Sequence, residues 1–430
     1  MKYIILLLSF PFLLKGYNSK DYVKTLKIVT DVMVEDVTSP VAAARYYAYI
    51  NLGALETASY FTEDSKFKLS RKLGFTPSVN QISQNINRDL AIQFSLLKGG
   101  EYFLPSGYLF PNKIEAKKHE FYQIGFSREE VDAALEFSDL IVLEIFNWAK
   151  KDGFTKLNNL VRYTPKDGQG YWKPTPPAFM SPIEPHWNRL KPLVLASADQ
   201  FLVDPPAPFD LKENSSFYIQ MKEVYDTVNK NSKETKEMAL FWDCNPFELQ
   251  QIGHIEFGLK KISPGGHWMG ITGIACIKSD LNMMQSTLIH TLVSVICHDA
   301  FIACWHEKYL SDRIRPETII NEILDPNWRP VLQTPPFPEY VSGHSVVSTA
   351  AANILTIIFG DNFEFIDDTE VEFGLPVRSF PSFNYAANEA SISRLYGGIH
   401  FRDAIEQGIK LGELVSGYGI SQLEEYFPEF

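Results

Sequence analysis

Long apolar runs are scarce in this chain, and so are cysteine and positive charge. After the first few residues no apolar run is long enough to cross a bilayer, so stable membrane insertion is not expected. Only four cysteines, Cys244, Cys276, Cys297 and Cys304, occur in 430 residues. Cys297 and Cys304 stand seven apart on a helical stretch, too far for a bridge, and none of the four has metal-ligand spacing; a Cys244–Cys276 pairing stays open. Forty Lys and Arg stand against 52 Asp and Glu, a net charge of -12 that disfavours a nucleic-acid or anionic-membrane surface. No internal repeat and no glycine-rich nucleotide loop is found. The acidic run Asp367 to Glu372 reads as a solvated turn, with a metal site as the other reading.

What is present is apolar and helical. A 45% apolar content over this length supports a large core. Pro40 opens one helix at its first turn, and Ser127 with Glu130 forms a capping box ahead of an amphipathic run that ends near Gly153. From about Met283 to Leu310 the sequence is apolar almost all round, which predicts a central helix buried on most faces and carrying Trp305 and Lys308 at its C-terminal end. Strand signals are sparse. Ten of the 26 prolines fall between Tyr163 and Asp210. The expected architecture is all-α: a helical region over 21–162 and a helical bundle over 213–430, joined by a Pro-rich loop over 163–212. Trp172 and Phe179 of that loop either roof a pocket or pack in a surface strap. Met1-Lys2 and the apolar run to Leu14 read as a secretory signal over 1–20, implying export to the periplasm or beyond. No cysteine lies near the expected cleavage point, so a lipoprotein anchor is not expected.

Against the acidic background, cations and histidines gather in the last third. Lys308 and Arg315-Pro316 lie seven residues apart, about two helical turns, which places both heads over one face and suits a polyanion. Ser342-Gly343-His344 opens a helix whose free N–H groups stabilise an anion, with His344 in the first turn as a proton carrier. Ser393-Arg394 precedes His400, and Gly397-Gly398 bends the chain so that Arg394 and His400 can converge.

In this order the three pieces resemble the signature shared by vanadium-dependent haloperoxidases and type 2 phosphatidic-acid phosphatases, with Val341 where that signature has proline. Trp305 and Phe337 resemble aromatics lining the halide side of a chloroperoxidase pocket. The segments Pro40 to Tyr49, Gly170 to Pro177 and Arg378 to Phe383 resemble bacterial secreted haloperoxidases. The resemblance implies vanadate as cofactor, bound through His400 Nε2, with Lys308, Arg315, Ser342, Gly343 and Arg394 neutralising its oxygens. It implies His344 as acid–base, Lys308 as the group that polarises the oxidant, and Asp403 as the carboxylate that orients His400. The phosphatases that share the signature usually carry an orienting Asp four residues after the histidine, whereas Asp403 lies three after. The implied partners are hydrogen peroxide, halide and small organic acceptors, with iodide or bromide ahead of chloride; no oligomeric state follows. An exported acid phosphatase working through a phosphohistidine at His400 is the alternative, and a non-enzymatic anion-binding protein a third reading.

Overall fold

The computed structural model describes residues 17–79, 86–252, 255–258 and 260–428, with the backbone alone over 249–258. The apolar run of the expected leader lies outside these residues. Tyr17 to Lys20 belong to the fold: Asn18 caps the first helix in a capping box with Asp21, and Ser19 N–H donates to Leu281.

Fourteen helices dominate the described residues. The first half holds α1 (Ser19–Glu35), α2 (Pro40–Ser59), the single-turn α3 (Leu69–Lys72), α4 (Arg88–Phe103), α5 (Phe110–Gln123) and α6 (Arg128–Ala149). The second holds α7 (Ser216–Asn229), α8 (Lys233–Phe241), α9 (Pro264–Lys278), α10 (Met283–Ser311), α11 (Pro316–Ile323), α12 (Gly343–Phe359), α13 (Phe383–Tyr396) and α14 (Arg402–Leu423). Two antiparallel hairpins pair β1 (Leu249–Ile252) with β2 (Ile255–Gly258) and β3 (Phe365–Asp367) with β4 (Arg378–Phe380).

The helix signals act where expected. Pro40 stands at the start of α2 behind a Ser39 cap, and Ser127 and Glu130 close the capping box of α6. Asn282 and Gln285 make a further capping box on α10. The expectation that no run after the first few residues could cross a membrane fails for this helix, which is long and apolar enough to do so, yet all of its apolar window is buried inside the protein. It packs along α2, itself buried on every face, and against α9, α12 and α14. One continuous apolar cluster joins α1, α2, α4 and α6 to α9, α10 and α12. A second, around Phe217, Ile320, Trp328 and Phe401, joins α7, α11, α13 and α14.

Lys308 and Arg315 do not share a helix. The left-handed Asp312 (φ 49°) ends α10, and Arg315 caps α11 on the far side of a turn. The 163–212 segment runs as a strap beside the C-terminal end of α10. Trp172 N–H donates to Asp312 O at 2.7 Å, and Asp299 on α10 accepts from the N–H groups of Leu193, Val194 and Leu195 at 2.7–2.8 Å. Trp172 is buried in this strap and Phe179 is exposed, so the pair forms no roof over the site. All four cysteines are free, Cys244 facing His267 rather than Cys276.

Candidate oxyanion site

The N-terminus of α12, the end of α10 and the turn before α14 meet at a narrow cavity of about 30 Å³. His344, His400, Arg394 and Gly343 line it, facing Phe301, Trp305 and Phe337. Pro40, Pro246, Pro264 and Pro335 complete the wall. Prolines carry no N–H and the aromatic rings present little polar surface, so these residues offer few donors to the cavity. The Trp305 and Phe337 rings lie 5.0 Å apart. The strap fixes Trp305, whose indole N–H donates to Ile183 O at 3.3 Å.

The chain order of the motifs builds the polar half. Ser342 caps α12, its Oγ accepting from Ser345 N–H at 3.3 Å and from Ser345 Oγ at 2.8 Å, which leaves its own O–H free to donate. Gly398, at φ +80°, turns the chain between α13 and α14 and brings His400 back across Arg394. Arg394 is buried, with Nε on Ser393 Oγ at 3.0 Å and Nη2 on Ala239 O at 3.2 Å. Arg315 is fully buried; its Nε donates to Phe337 O at 2.9 Å, and its Nη1 to Ile399 O at 2.9 Å and to His400 Nε2 at 3.2 Å. Its Nη2 has no partner.

The two imidazoles are both neutral for stated reasons. Burial, then the Arg315, Lys308 and Arg394 charges, hold His400 well below the ordinary histidine range. Guanidinium only donates, so Nε2 keeps its lone pair and Nδ1 carries the proton, donated to Glu339 Oε1 at 2.9 Å. Burial, then Arg394 and His400, likewise depress His344. Its Nε2 has no partner, so its hydrogen bond to the Trp242 carbonyl uses Nδ1. The bare Nε2 of His344 is therefore a proton acceptor at the cavity wall.

Lys308 stands behind the wall. Its ammonium donates to the carbonyls of Pro338 at 3.1 Å, Glu339 at 3.1 Å and Val341 at 2.5 Å. Burial is the main cause that lowers it to about 7. Phe337 and Trp305 flank it, at 5.1 and 5.8 Å from ring centroid to Nζ.

The carboxylate on His400 is Glu339, not Asp403. Asp403, in the first turn of α14, points to Arg313, to Ala207 N–H at 3.0 Å and to Gln220 at 3.2 Å. Arg313 also reaches Glu339 Oε2 at 3.3 Å, so Asp403 acts on His400 only through Arg313 and Glu339. Spacing alone hid this, because Glu339 lies in an irregular loop 61 positions before His400. Asp243, Cys244 and Asn245 also wall the cavity, on a loop that carries none of the three motifs.

Residues 288–429 match the family model described as the VCPO second helical-bundle domain. Over nearly its whole length the chain is similar to the solved structure described as the first bacterial vanadium-dependent iodoperoxidase. The two are 40% identical with a TM-score of 0.87, covering 95% of this chain and 97% of that one. Holo- and apo-type structures of bacterial vanadium-dependent chloroperoxidase share the fold, each with a TM-score of 0.66 at 15% identity. They cover 91% and 90% of this chain and 93% and 95% of their own. Among curated proteins none matches the chain in sequence. Identity of 40% over almost all of both chains, together with a cavity lined by residues of the second and third motifs and backed by Arg315 of the first, means that the chain belongs to the vanadium-dependent haloperoxidases.

Proposed function

We propose that this enzyme uses vanadate to oxidise iodide or bromide, in preference to chloride, with hydrogen peroxide, giving hypohalous acid. The carrying observation is the pair of neutral imidazoles at one cavity, with different partners behind them. His400 has a carboxylate on Nδ1, which raises the basicity of Nε2 and suits it to ligate vanadium. His344 has a neutral carbonyl on Nδ1 and a bare Nε2, which suits it to take a proton from hydrogen peroxide.

The residues fit a vanadate group. Arg315 Nη2 is a buried donor without a partner on the guanidinium that contacts His400, Arg394 and Gly343 line the cavity, and Ser342 caps the same helix end with a free O–H. Such fixed donors hold an oxyanion without reorganising. Bound vanadate supplies a Lewis-acidic centre that activates peroxide without changing oxidation state. The chain's residues neutralise its oxygens, hold the His400 ring in one tautomer, receive the peroxide proton on His344 and keep water out along the proline and aromatic wall. Two observations support the easier halides. The relative that is 40% identical is described as an iodoperoxidase. Lys308 commits all three N–H groups to carbonyls, so it draws little charge from the oxidant, and chloride demands the most activation.

Halide oxidation should require added vanadate and run faster with iodide and bromide than with chloride. Vanadate-independent hydrolysis of an aryl phosphate without halide oxidation would overturn the reading. His400→Ala should abolish vanadate retention, while His344→Ala should keep vanadate and lose turnover by about 100-fold or more. Equal vanadate loss in both variants contradicts this division of labour.

A further inference from the structure

Behind the Cys244 wall of the cavity lies a second cluster that the haloperoxidase reading does not use. Cys244 Sγ, His267 Nδ1 and Glu370 Oε1 converge from three separate segments, the loop after α8, the first turn of α9 and the turn after β3. Their mutual distances are 3.3 Å from sulfur to nitrogen, 3.2 Å from nitrogen to oxygen and 3.8 Å from sulfur to oxygen. Donors at usual Zn²⁺ bond lengths on a tetrahedron stand about 3.3–3.6 Å apart, so the three donors already form one face of such a site.

The surroundings carry the same mark. His267 Nε2 is bonded to Asp367 Oδ2 at 2.8 Å, and Asp367 is itself fixed by Thr369 N–H at 3.0 Å. A carboxylate on the far nitrogen of a histidine is the arrangement that aims the near nitrogen at a metal. Trp242 stacks on the imidazole with centroids 4.7 Å apart, and Phe241 meets it at 5.5 Å, which fixes the ring plane. Two carboxylates and a thiol therefore face a single imidazole in a fully buried place. A divalent cation there offsets the surplus negative charge. The acidic run Asp367 to Glu372 is thus no solvated turn at Asp367 and Glu370, which are 0% and 2% exposed.

We propose that Cys244, His267 and Glu370 bind a divalent metal ion of the zinc class, with Asp367 as the positioning residue for His267. Binding converts the Cys244 thiol to a zinc thiolate and releases its proton, along with any proton on His267 Nδ1. The metal stays Zn²⁺ and no electron moves. The ion would tie the Asp243 to Pro246 wall of the cavity to α9 and to the β3 turn.

The test uses the full chain free of vanadate and of metal. Addition of Zn²⁺ followed by gel filtration should leave about one zinc per chain by elemental analysis. Co²⁺ in its place should give a thiolate-to-cobalt charge-transfer absorption. Cys244→Ala should lose that absorption, and Glu370→Gln should bind Zn²⁺ about 10–100-fold more weakly. Absence of stoichiometric zinc and of the cobalt–thiolate absorption in folded wild-type protein overturns the proposal, as does an absorption that persists in Cys244→Ala. Wild-type protein and Glu370→Gln decide the matter alone if Cys244→Ala fails to fold.

Discussion

A carboxylate that takes the Nδ1 proton of His400 fixes both the ring's orientation and the atom left to bind. In Glu339→Gln the amide oxygen still accepts from Nδ1 and from Phe401 N–H, but the charge facing Arg313 is gone. Vanadate affinity should fall about 10–100-fold, against a much smaller loss in Asp403→Asn, as read by vanadate titration of halide oxidation. Lys308 gives a pH effect with a definite sign. Burial lowers it to about 7, so in the free site a rise in pH above 7 takes a proton from the ammonium, and with it one of the three N–H groups given to carbonyls. A bound oxyanion favours the ammonium, so binding takes up a proton and affinity falls as pH rises above 7. Calorimetry at pH 8 in two buffers of different ionisation heat should detect this uptake in wild type and less of it in Lys308→Met, vanadate's own protonation being common to both. Placement at one cavity was legible where a motif stood at fixed spacing, as with His344, Arg394 and His400. Glu339 was not legible, because its partner is brought to it by a loop and a bend rather than by a helical period. Nor was the Cys244, His267 and Glu370 group, whose members come from three segments that meet only in the fold.

At the scale of elements, caps and periodicity made the helices readable, since these are local signals. Pro40 and the Ser127 and Glu130 box mark their boundaries as expected, and Gly360 at φ 91° ends α12. The Lys308 to Arg315 stretch misled because a seven-residue spacing suits a helix, while Asp312 in the left-handed region breaks it. The strap was legible as a loop but its attachment was not. Three N–H groups of Leu193, Val194 and Leu195 converge on Asp299, a buried carboxylate on a helix read as apolar almost all round. Asp299→Ala leaves those donors without an acceptor and should cost about 3 kcal/mol in denaturant unfolding. Asp299→Asn, which keeps one acceptor oxygen, should cost less. Because the same strap accepts the Trp305 indole N–H, Asp299→Ala should also raise the KM for halide more than it lowers kcat.

At the scale of the molecule, an all-α chain with a buried central helix could be inferred from composition and from the 283–310 run, but the depth of the union between its halves could not. Periodicity reports which face of a helix is apolar and not which helix covers it. Here α2 covers α10: Thr291 Oγ donates to Asn51 O at 3.1 Å, Asn51 Nδ2 reaches Ser294 Oγ at 3.4 Å, and Tyr22 OH donates to Asn51 Oδ1 at 2.6 Å. A fragment of residues 213–430 keeps all three motifs and yet would expose the α2-facing side of α10, where each large apolar side chain uncovered loses about 1.5–3 kcal/mol. That fragment should therefore lack a cooperative thermal transition and bind a hydrophobic dye, despite carrying the motif residues. The whole chain should unfold in one transition by circular dichroism and by tryptophan fluorescence. Pro40 contributes to the cavity wall from the first half, so halide oxidation should disappear at the same denaturant concentration. Two separated transitions, with oxidation surviving the first, would show instead that the second half holds the site without its partner.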